Sequence, residues 1–281
     1  MALAVQPSGA ALGAVVEGLD LTKPLSDEIF EEILAAFHCH HVLCFRDQDL
    51  DEESFIAFSR RFGELQTHVL SQWLRDDYPE IYILSNYDMA GSGKPTGGDK
   101  VARVWHSDLS FAEVPALATL LYAVEVPSEG GNTEFANMLA AHDALDERSK
   151  RRLEKLRAIH DLQTSHNRIK QKPLTEEQIK AAPPVEHPIV RTHTPTGRKG
   201  LYMGYGHTKG VVGMSEKEGQ VLIDELVAFS TEPRFVYSHK WCVGDVVLWD
   251  NRCTMHRGTP YDDRERRRML RTTVKGTEIP A

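Results

Sequence analysis

The chain has 281 residues, of which 41% are hydrophobic, so it can bury a sizeable core, and we expect a single domain spanning residues 1–281. Its net charge of −8 gives no electrostatic reason to bind nucleic acid. The lack of a long apolar run or a signal sequence argues against a membrane protein and predicts a cytoplasmic location.

Segments with apolar residues at helical spacing alternate along the chain with runs that have the period of β-strands. Two loops interrupt this pattern, at 87–100 and at 168–184. The first loop is rich in glycine and directly precedes a histidine–aspartate motif, which is a suitable position for a lid over a site. The predicted helices are 27–37, 54–62, 143–159 and 215–229.

A run of three histidines and one cysteine, residues 38–41, follows the first predicted helix and opens an apolar run. Metal ligands at consecutive positions rarely converge, because neighbours in a strand face opposite ways. We therefore interpret these histidines, and the others at 160, 193 and 239, as hydrogen-bonded or surface residues. The four cysteines at 39, 44, 242 and 253 lie at no zinc-binding spacing, which predicts reduced, mostly packed thiols.

Trp105-His106-Ser107-Asp108 is the motif that carries the most chemistry. In an extended strand, residues i and i+2 point to the same face, so His106 and Asp108 can converge on one metal ion. A histidine near an aspartate is more often a surface pair or a hydrogen-bonded core group, so this motif alone is weak evidence. Other residues must supply the remaining ligands.

The segment 244–250 reads as a turn that leads into a buried strand, and His256 follows the polar end of that strand. Two histidine nitrogens and one carboxylate oxygen on one side of an octahedron leave three adjacent positions open. Non-haem Fe(II) oxygenases use this arrangement to bind a chelating co-substrate and O₂. The sequence therefore predicts an iron site formed by His106, Asp108 and His256.

An arginine-rich strand comes next, at 267–273, and its alternation places Arg267 and Arg271 on one face. The guanidinium group matches a carboxylate bidentately, so two inward arginines near a metal predict two anionic small molecules or one dianion. For Arg264, Arg266 and Arg268, which lie beside acidic residues, we expect solvent-exposed positions.

With these motifs, the chain resembles the taurine dioxygenase/2,4-dichlorophenoxyacetate dioxygenase family of Fe(II)- and 2-oxoglutarate-dependent oxygenases, over most of its length. The resemblance implies a mainly β fold with flanking helices, a double-stranded β-helix or jelly roll of the cupin type. It also implies Fe(II), 2-oxoglutarate and O₂ as cofactor and co-substrates, and a homo-oligomer. The blocks that carry the resemblance are 105–108, 130–135, 187–193, 249–258 and 267–273.

Carried over by position, the resemblance implies that His106, Asp108 and His256 hold the iron. It implies that Arg267, with Thr133, binds the distal carboxylate of 2-oxoglutarate, and that Arg271 grips the acidic group of the substrate. His68 falls where the family has a substrate-binding histidine.

The blocks at 134–141 and 235–258 match the 2,4-dichlorophenoxyacetate branch of the family better than the taurine branch. This implies an aryloxyalkanoate substrate, hydroxylated next to its ether oxygen to give a phenol and glyoxylate or pyruvate, with succinate and CO₂. The alternative substrates are taurine or another alkylsulfonate, or an alkyl sulfate. Two other classes are a zinc hydrolase, which would not need Arg267 beside a substrate arginine, and a non-catalytic binding module.

Overall fold

The computed structural model describes residues 3–67, 77–87, 103–168 and 173–281, and β-strands dominate its regular structure. The helices are α1 (Asp27–His40), α2 (Glu52–Arg60), α3 (Met138–Asp143), α4 (Glu147–Leu153), α5 (Leu162–Arg168), α6 (Glu176–Ala181) and α7 (Glu216–Ser230). The strands are β1 (Ala4–Pro7), β2 (Ala14–Glu17), β3 (Val42–Phe45), β4 (Tyr82–Ser85), β5 (Ala118–Glu125), β6 (Thr133–Asn137), β7 (Arg157–His160), β8 (Val185–Pro188), β9 (Val190–His193), β10 (Arg198–Leu201), β11 (Thr208–Val211), β12 (Val236–His239), β13 (Val246–Asp250), β14 (Thr254–Gly258) and β15 (Arg268–Val274).

A seven-stranded sheet in the order β1-β2-β3-β13-β5-β15-β4 is the largest element. β13 lies between β3 and β5 and pairs antiparallel with both, and all five of its residues are buried. A strand that is buried on both faces favours apolar side chains, which is why 246–249 has no alternation of polar and apolar residues. The expected buried strand is confirmed.

A second sheet, in the order β12-β6-β14, packs against one face of the large sheet. Phe135 of this second sheet contacts Trp249 of the large sheet, with ring centroids 5.5 Å apart. The opposite face of the large sheet packs on α1 and α2, through residues such as Phe37 and Phe55. The architecture is therefore mainly β with helices outside, as expected.

Three of the predicted helices are confirmed and differ only at their ends. The first continues to His40, because its end is set by His41 in the left-handed region, with φ of 63°. Helix α7 begins after Ser215, whose side chain accepts a hydrogen bond from the Glu218 backbone N–H. In return, the Glu218 carboxylate accepts a hydrogen bond from the Ser215 backbone N–H. This reciprocal capping box stabilises the first turn of the helix.

The predicted helix 143–159 is wrong. Asp146 starts a separate short helix, α4, by accepting hydrogen bonds from two backbone N–H groups, and this helix ends at Leu153. The segment Arg157–His160 is a strand, because it pairs antiparallel with β8. The predicted loop 168–184 is also wrong in part, since Glu176–Ala181 forms helix α6 with a capping box at Thr175.

The predicted lid loop lies almost wholly outside the described residues, which resume at residue 103 after Tyr87. The four cysteines are free thiols, as predicted. The expectation that most of them are packed is wrong, because Cys39 and Cys242 are exposed and only Cys44 and Cys253 are buried. In the part of the chain that the structure describes, none of the helices has the length and apolar character that a bilayer crossing requires.

Candidate active site

His106 and His256 are brought together by the backbone. The His106 N–H donates to the His256 carbonyl at 3.1 Å, and the His256 N–H donates to the His106 carbonyl at 2.8 Å. This isolated antiparallel bridge joins the early motif to β14, and the two imidazole rings lie 4.2 Å apart between centroids. The predicted strand over 106–108 is wrong beyond His106, because the chain turns at Asp108 and Leu109 adopts a left-handed φ of 53°.

Asp108 faces both imidazoles. The His106 Nε2 lies 3.8 Å from Oδ1 of Asp108, and the His256 Nε2 lies 3.8 Å from Oδ2. These distances are too long for hydrogen bonds, and one ligand atom from each residue lies within 4.8 Å of the others, so the three groups surround a common point. The arrangement fits a cation that accepts nitrogen and oxygen ligands.

The protonation states suit metal binding. Burial would raise the pKa of Asp108, but the positive charge of Arg271 and the two histidines hold that pKa below its ordinary value. Burial lowers the pKa of His106 and takes that of His256 well below its ordinary value. A carboxylate and two neutral imidazoles are therefore the forms present near neutral pH, and these are the forms that coordinate a metal.

The side chains of His106 and Asp108 are each oriented by a hydrogen bond to a neighbour. Nδ1 of His106 lies 2.7 Å from the Val104 carbonyl, so this nitrogen carries the proton and Nε2 presents its lone pair. Thr119 of β5 donates to Oδ2 of Asp108 at 2.7 Å and accepts a hydrogen bond from the Asn251 side chain at 2.9 Å. Sequence reasoning missed Thr119, because a strand threonine has no signal of its own.

Two glycines make room for His106. A Cβ on Gly206 would lie 2.7 Å from the Cβ of His106, and a Cβ on Gly204 would lie 3.1 Å from its Cα. The backbone of this segment is held close by a hydrogen bond from the Gly206 N–H to the Trp105 carbonyl at 2.9 Å. The paired glycines at 204 and 206 are the signal that sequence reasoning overlooked. The next residue, His207, stacks its ring edge-on against His106 at 5.9 Å.

Arg271 reaches the metal-ligand cluster directly. Its Nη2 lies 2.9 Å from Oδ1 of Asp108, so β15 of the large sheet supplies the guanidinium that faces the cluster. Arg267 lies one residue before this strand and is buried, with its backbone N–H bonded to the Asn86 side chain. Arg264 and Arg266 are exposed as expected, whereas Arg268 is half-buried and paired with Glu125 at 3.5 Å.

Thr133 is the first residue of β6 and is buried, and its hydroxyl accepts a hydrogen bond from Nε1 of Trp241 at 3.0 Å. His68 lies outside the described residues. Of the predicted site residues, His106, Asp108, His256 and Arg271 are thus seen in mutual contact.

Two other groups of metal-ligating side chains occur among the described residues: His41, His193 and Cys253, and Cys44, His239 and Asp245. In each group one histidine already uses both ring nitrogens. His193 bonds to Asp250 and Thr196, and His239 bonds to Asp245 and Tyr237. Both histidines are hydrogen-bonded, as expected from the sequence. For His160 the expectation is wrong, because this residue is fully buried and neither ring nitrogen has a hydrogen-bond partner in the described part of the chain.

A cavity of about 820 Å³ adjoins the segment that follows Asp108. Leu109, Phe111 and Ala112 form part of its wall, and residues of α6 form another part. His106, Asp108 and His256 do not line it, so the cavity lies beside the cluster and does not enclose it.

The sequence profile of the taurine catabolism dioxygenase TauD, TfdA family matches residues 4–273. The chain is 39% identical to an alpha-ketoglutarate-dependent 2,4-dichlorophenoxyacetate dioxygenase of Cupriavidus pinatubonensis, over 98% of each chain. It is 36% identical to an (S)-phenoxypropionate/alpha-ketoglutarate-dioxygenase of Sphingobium herbicidovorans, over 97% of this chain and 94% of that one. The crystal structure of AAD-2 with Mn(II) and N-oxalylglycine, an analogue of 2-oxoglutarate, superposes with a TM-score of 0.90 at 36% identity, covering 100% of this chain and 99% of that chain.

Proposed function

Since the chain belongs to the taurine catabolism dioxygenase TauD, TfdA family and is a 2-oxoglutarate-dependent dioxygenase that uses Fe(II) and O₂, we propose that its substrate is an aryloxyalkanoate such as 2,4-dichlorophenoxyacetate. Hydroxylation of the carbon next to the ether oxygen gives an unstable hemiacetal. This hemiacetal breaks down to a phenol and glyoxylate, or pyruvate from a propionate. The accompanying products are succinate and CO₂.

His106, Asp108 and His256 hold the iron in this proposal. Their donor set of two nitrogens and one carboxylate matches the facial arrangement of Fe(II) oxygenases. The support from this chain is that three ligand atoms converge within 4.8 Å and that the histidine nitrogens facing Asp108 are not hydrogen-bonded to it. Iron, when bound, supplies O₂ activation coupled to the decarboxylation of 2-oxoglutarate.

Arg267 and Thr133 bind the distal carboxylate of 2-oxoglutarate in the same proposal. Arg267 is 9% exposed and Thr133 is 4% exposed, so a carboxylate that meets them is shielded from bulk water. Hydrogen bonds to a charged group are stronger in such surroundings. Anchoring the far end of the co-substrate fixes its orientation before the reaction.

The position of Arg271 is the observation that carries the substrate assignment. Its guanidinium lies 2.9 Å from the carboxylate of Asp108, which is itself a metal ligand in this proposal. An acid group held by Arg271 therefore lies beside the metal, and the nearest C–H bonds are those on the carbon attached to that acid group. In an aryloxyacetate this carbon also carries the ether oxygen, so its hydroxylation cleaves the ether.

The aryl group needs apolar surface close to the same point. Leu109 and Phe111 supply such surface immediately after Asp108, at the wall of the adjoining cavity. His68 is proposed as a second contact to the substrate. An alkylsulfonate or alkyl sulfate would pair with Arg271 equally well but has no aryl group to pack against Leu109 and Phe111. We therefore favour the aryloxyalkanoate.

The test is succinate formation by Fe(II)-loaded protein with 2-oxoglutarate and O₂, across aryloxyacetates, aryloxypropionates, taurine and alkyl sulfates. We expect aryloxy acids to stimulate succinate formation and to release the matching phenol. Stimulation by taurine or an alkyl sulfate alone, with no response to aryloxy acids, would contradict the substrate assignment and leave the reaction class intact.

We also propose that residues 1–281 form one domain built on a jelly-roll barrel. The pairing of strands from both ends of the chain in one sheet supports this proposal, as does the second sheet packed on its face. The homo-oligomer, the lack of nucleic-acid binding and the cytoplasmic location stay predictions.

A further inference from the structure

The hydroxyl of Thr133 acts as the acceptor in its hydrogen bond with Trp241. An indole N–H can only donate, so in the 3.0 Å contact between Nε1 of Trp241 and Oγ1 of Thr133 the threonine is the acceptor. Its own proton is then left to be donated elsewhere. No second hydrogen-bond partner of this hydroxyl occurs in the part of the chain that the structure describes.

Trp241 reaches Thr133 because of the strand register. His239 of β12 is the cross-strand partner of Thr133 of β6, and Trp241 follows two residues later. The indole is 6% exposed and packs edge-on against the His239 ring, with centroids 4.6 Å apart. The position of the N–H group is therefore tied to that of His239.

His239 is itself held on both sides. One ring nitrogen lies 3.0 Å from Oδ2 of Asp245, and the other lies 2.9 Å from the Tyr237 hydroxyl. Oδ2 of Asp245 also accepts a hydrogen bond from Arg46 at 2.5 Å and from the backbone N–H of Cys242 at 2.8 Å. Asp245 and His239 are both fully buried, so the hydrogen bond between them is shielded from solvent.

We propose that Trp241 is a positioning residue for 2-oxoglutarate: by donating to Thr133 it makes that hydroxyl a dedicated donor to the distal carboxylate. The inference rests on the proposed role of Thr133. Without the indole N–H, the hydroxyl gains the freedom to point its lone pairs at the carboxylate, which is the repulsive orientation. Trp241 touches neither co-substrate nor metal in this proposal and acts through Thr133.

The experiment is equilibrium binding of 2-oxoglutarate to Mn(II)-loaded protein, which does not turn over, for the wild type, Trp241→Phe, Thr133→Val and the double variant. Thr133→Val removes a hydrogen bond to a charged group and is expected to weaken binding roughly 10-fold or more. Trp241→Phe keeps the ring and removes the N–H, and is expected to weaken binding by a factor of the same order. The double variant should bind no more weakly than Thr133→Val, because the two changes remove one interaction.

Pyruvate is the matched control ligand, since it has the 2-oxo acid group and lacks the distal carboxylate. Its affinity, and that of Mn(II), should be unchanged in Trp241→Phe. If Trp241→Phe does not fold, Trp241→Leu, which is apolar and has no side-chain hydrogen-bond donor, takes its place in the same cycle.

Unchanged 2-oxoglutarate affinity in Trp241→Phe, fully additive losses in the double variant, or an equal loss for pyruvate would each overturn the inference. If Thr133→Val itself binds 2-oxoglutarate normally, the proposed role of Thr133 falls and this inference falls with it. A loss in Thr133→Val without one in Trp241→Phe removes only the role of Trp241.

Discussion

At the residue scale, the side chain of Asp108 meets four others. It receives a hydrogen bond from Thr119, pairs with Arg271 and faces both His106 and His256. Arg271 lies at the oxygen that also faces His106, so its guanidinium already has an anionic partner in Asp108. If Arg271 holds a substrate acid as we propose, that acid competes with Asp108 for the guanidinium.

The proposed roles of Arg271 and Arg267 can be separated by kinetics. Arg271→Gln removes the charge that holds the substrate acid, and we expect the KM of an aryloxy acid to rise roughly 100-fold while the co-substrate keeps nearly the same KM. Arg267→Gln should give the opposite pattern. Arg268→Gln is the control on the same strand, because Arg268 pairs with Glu125 instead of facing the cluster.

Steady-state kinetics with each substrate varied in turn provides the measurement. If Arg271→Gln affects 2-oxoglutarate and Arg267→Gln affects the aryloxy acid, the two roles have been exchanged. If Arg268→Gln raises a KM as much as Arg271→Gln or Arg267→Gln does, the effects arise from a loss of strand stability and carry no information on ligand binding.

The histidines at 38–41 show how neighbours decide the chemistry of a residue. His41 approaches His193 and Cys253, which is a metal-like grouping by residue type. Thr196 is hydrogen-bonded to Nδ1 of His193 and Asp250 to Nε2, so neither ring nitrogen has a lone pair left for a metal ion. The expectation that this run is not a metal site stays a prediction, and the hydrogen bonds of His193 support it.

At the element scale, the site depends on an isolated bridge between two segments about 150 residues apart, and not on a continuous strand. A glycine-containing turn packs on the outer side of this bridge. The glycines at 204 and 206 allow that turn to approach the backbone and Cβ of His106. His106 is therefore held by its backbone hydrogen bonds to β14 and by the close approach of this turn.

Gly206→Ala tests whether the close approach of this turn positions His106. The added methyl would lie 2.7 Å from the Cβ of His106, a backbone-bound atom that cannot rotate away, so the ligand must shift. Because supporting contacts of metal ligands typically affect affinity 10- to 100-fold, we expect Fe(II) to bind roughly 10-fold more weakly. Equilibrium metal binding under anaerobic conditions is the measurement.

Gly210→Ala is the matched control, since a Cβ at Gly210 would meet nothing within 4 Å. It should bind Fe(II) like the wild type. Equal affinity in the Gly206→Ala and Gly210→Ala variants would show that the approach of this turn does not position His106.

Element boundaries show where local patterns stop being informative. Apolar spacing predicted one helix over 143–159, whereas Asp146 caps a new helix and Arg157–His160 joins a sheet. Capping and strand pairing compete with helical spacing, and strand pairing depends on a partner far along the chain. The helix that begins after Ser215 was predictable because its cap and its apolar face lie in the same stretch.

At the scale of the whole molecule, the site lies where the two packed sheets meet. His256 belongs to the sheet β12-β6-β14, and Arg271 belongs to the seven-stranded sheet. Thr133 lies on the same sheet as His256, and Thr119 lies on the same sheet as Arg271. His256 and Arg271 thus come from opposite walls, so the packing between the sheets sets the distance between them.

The residues of this cluster could be singled out from the sequence, because the histidine–aspartate motif, the later histidine and the arginine-rich strand occur together in blocks that resemble one enzyme family. The supporting residues could not. Thr119, Gly206 and Trp241 are ordinary residues locally, and they acquire their contacts only from groups that tertiary packing brings within about 3 Å. The residues that converge in the cluster were therefore identifiable from the sequence, and those that hold them in place required the structure.

The proposed reaction is tested most directly by measuring succinate, phenol and glyoxylate together, from Fe(II)-loaded protein supplied with 2,4-dichlorophenoxyacetate, 2-oxoglutarate and a limiting amount of O₂. We predict that the three products form in equal amounts and that none forms when Fe(II), O₂ or 2-oxoglutarate is left out. Release of the phenol without succinate, or in the absence of O₂, would contradict this reaction and would indicate a hydrolytic enzyme at the same three ligands.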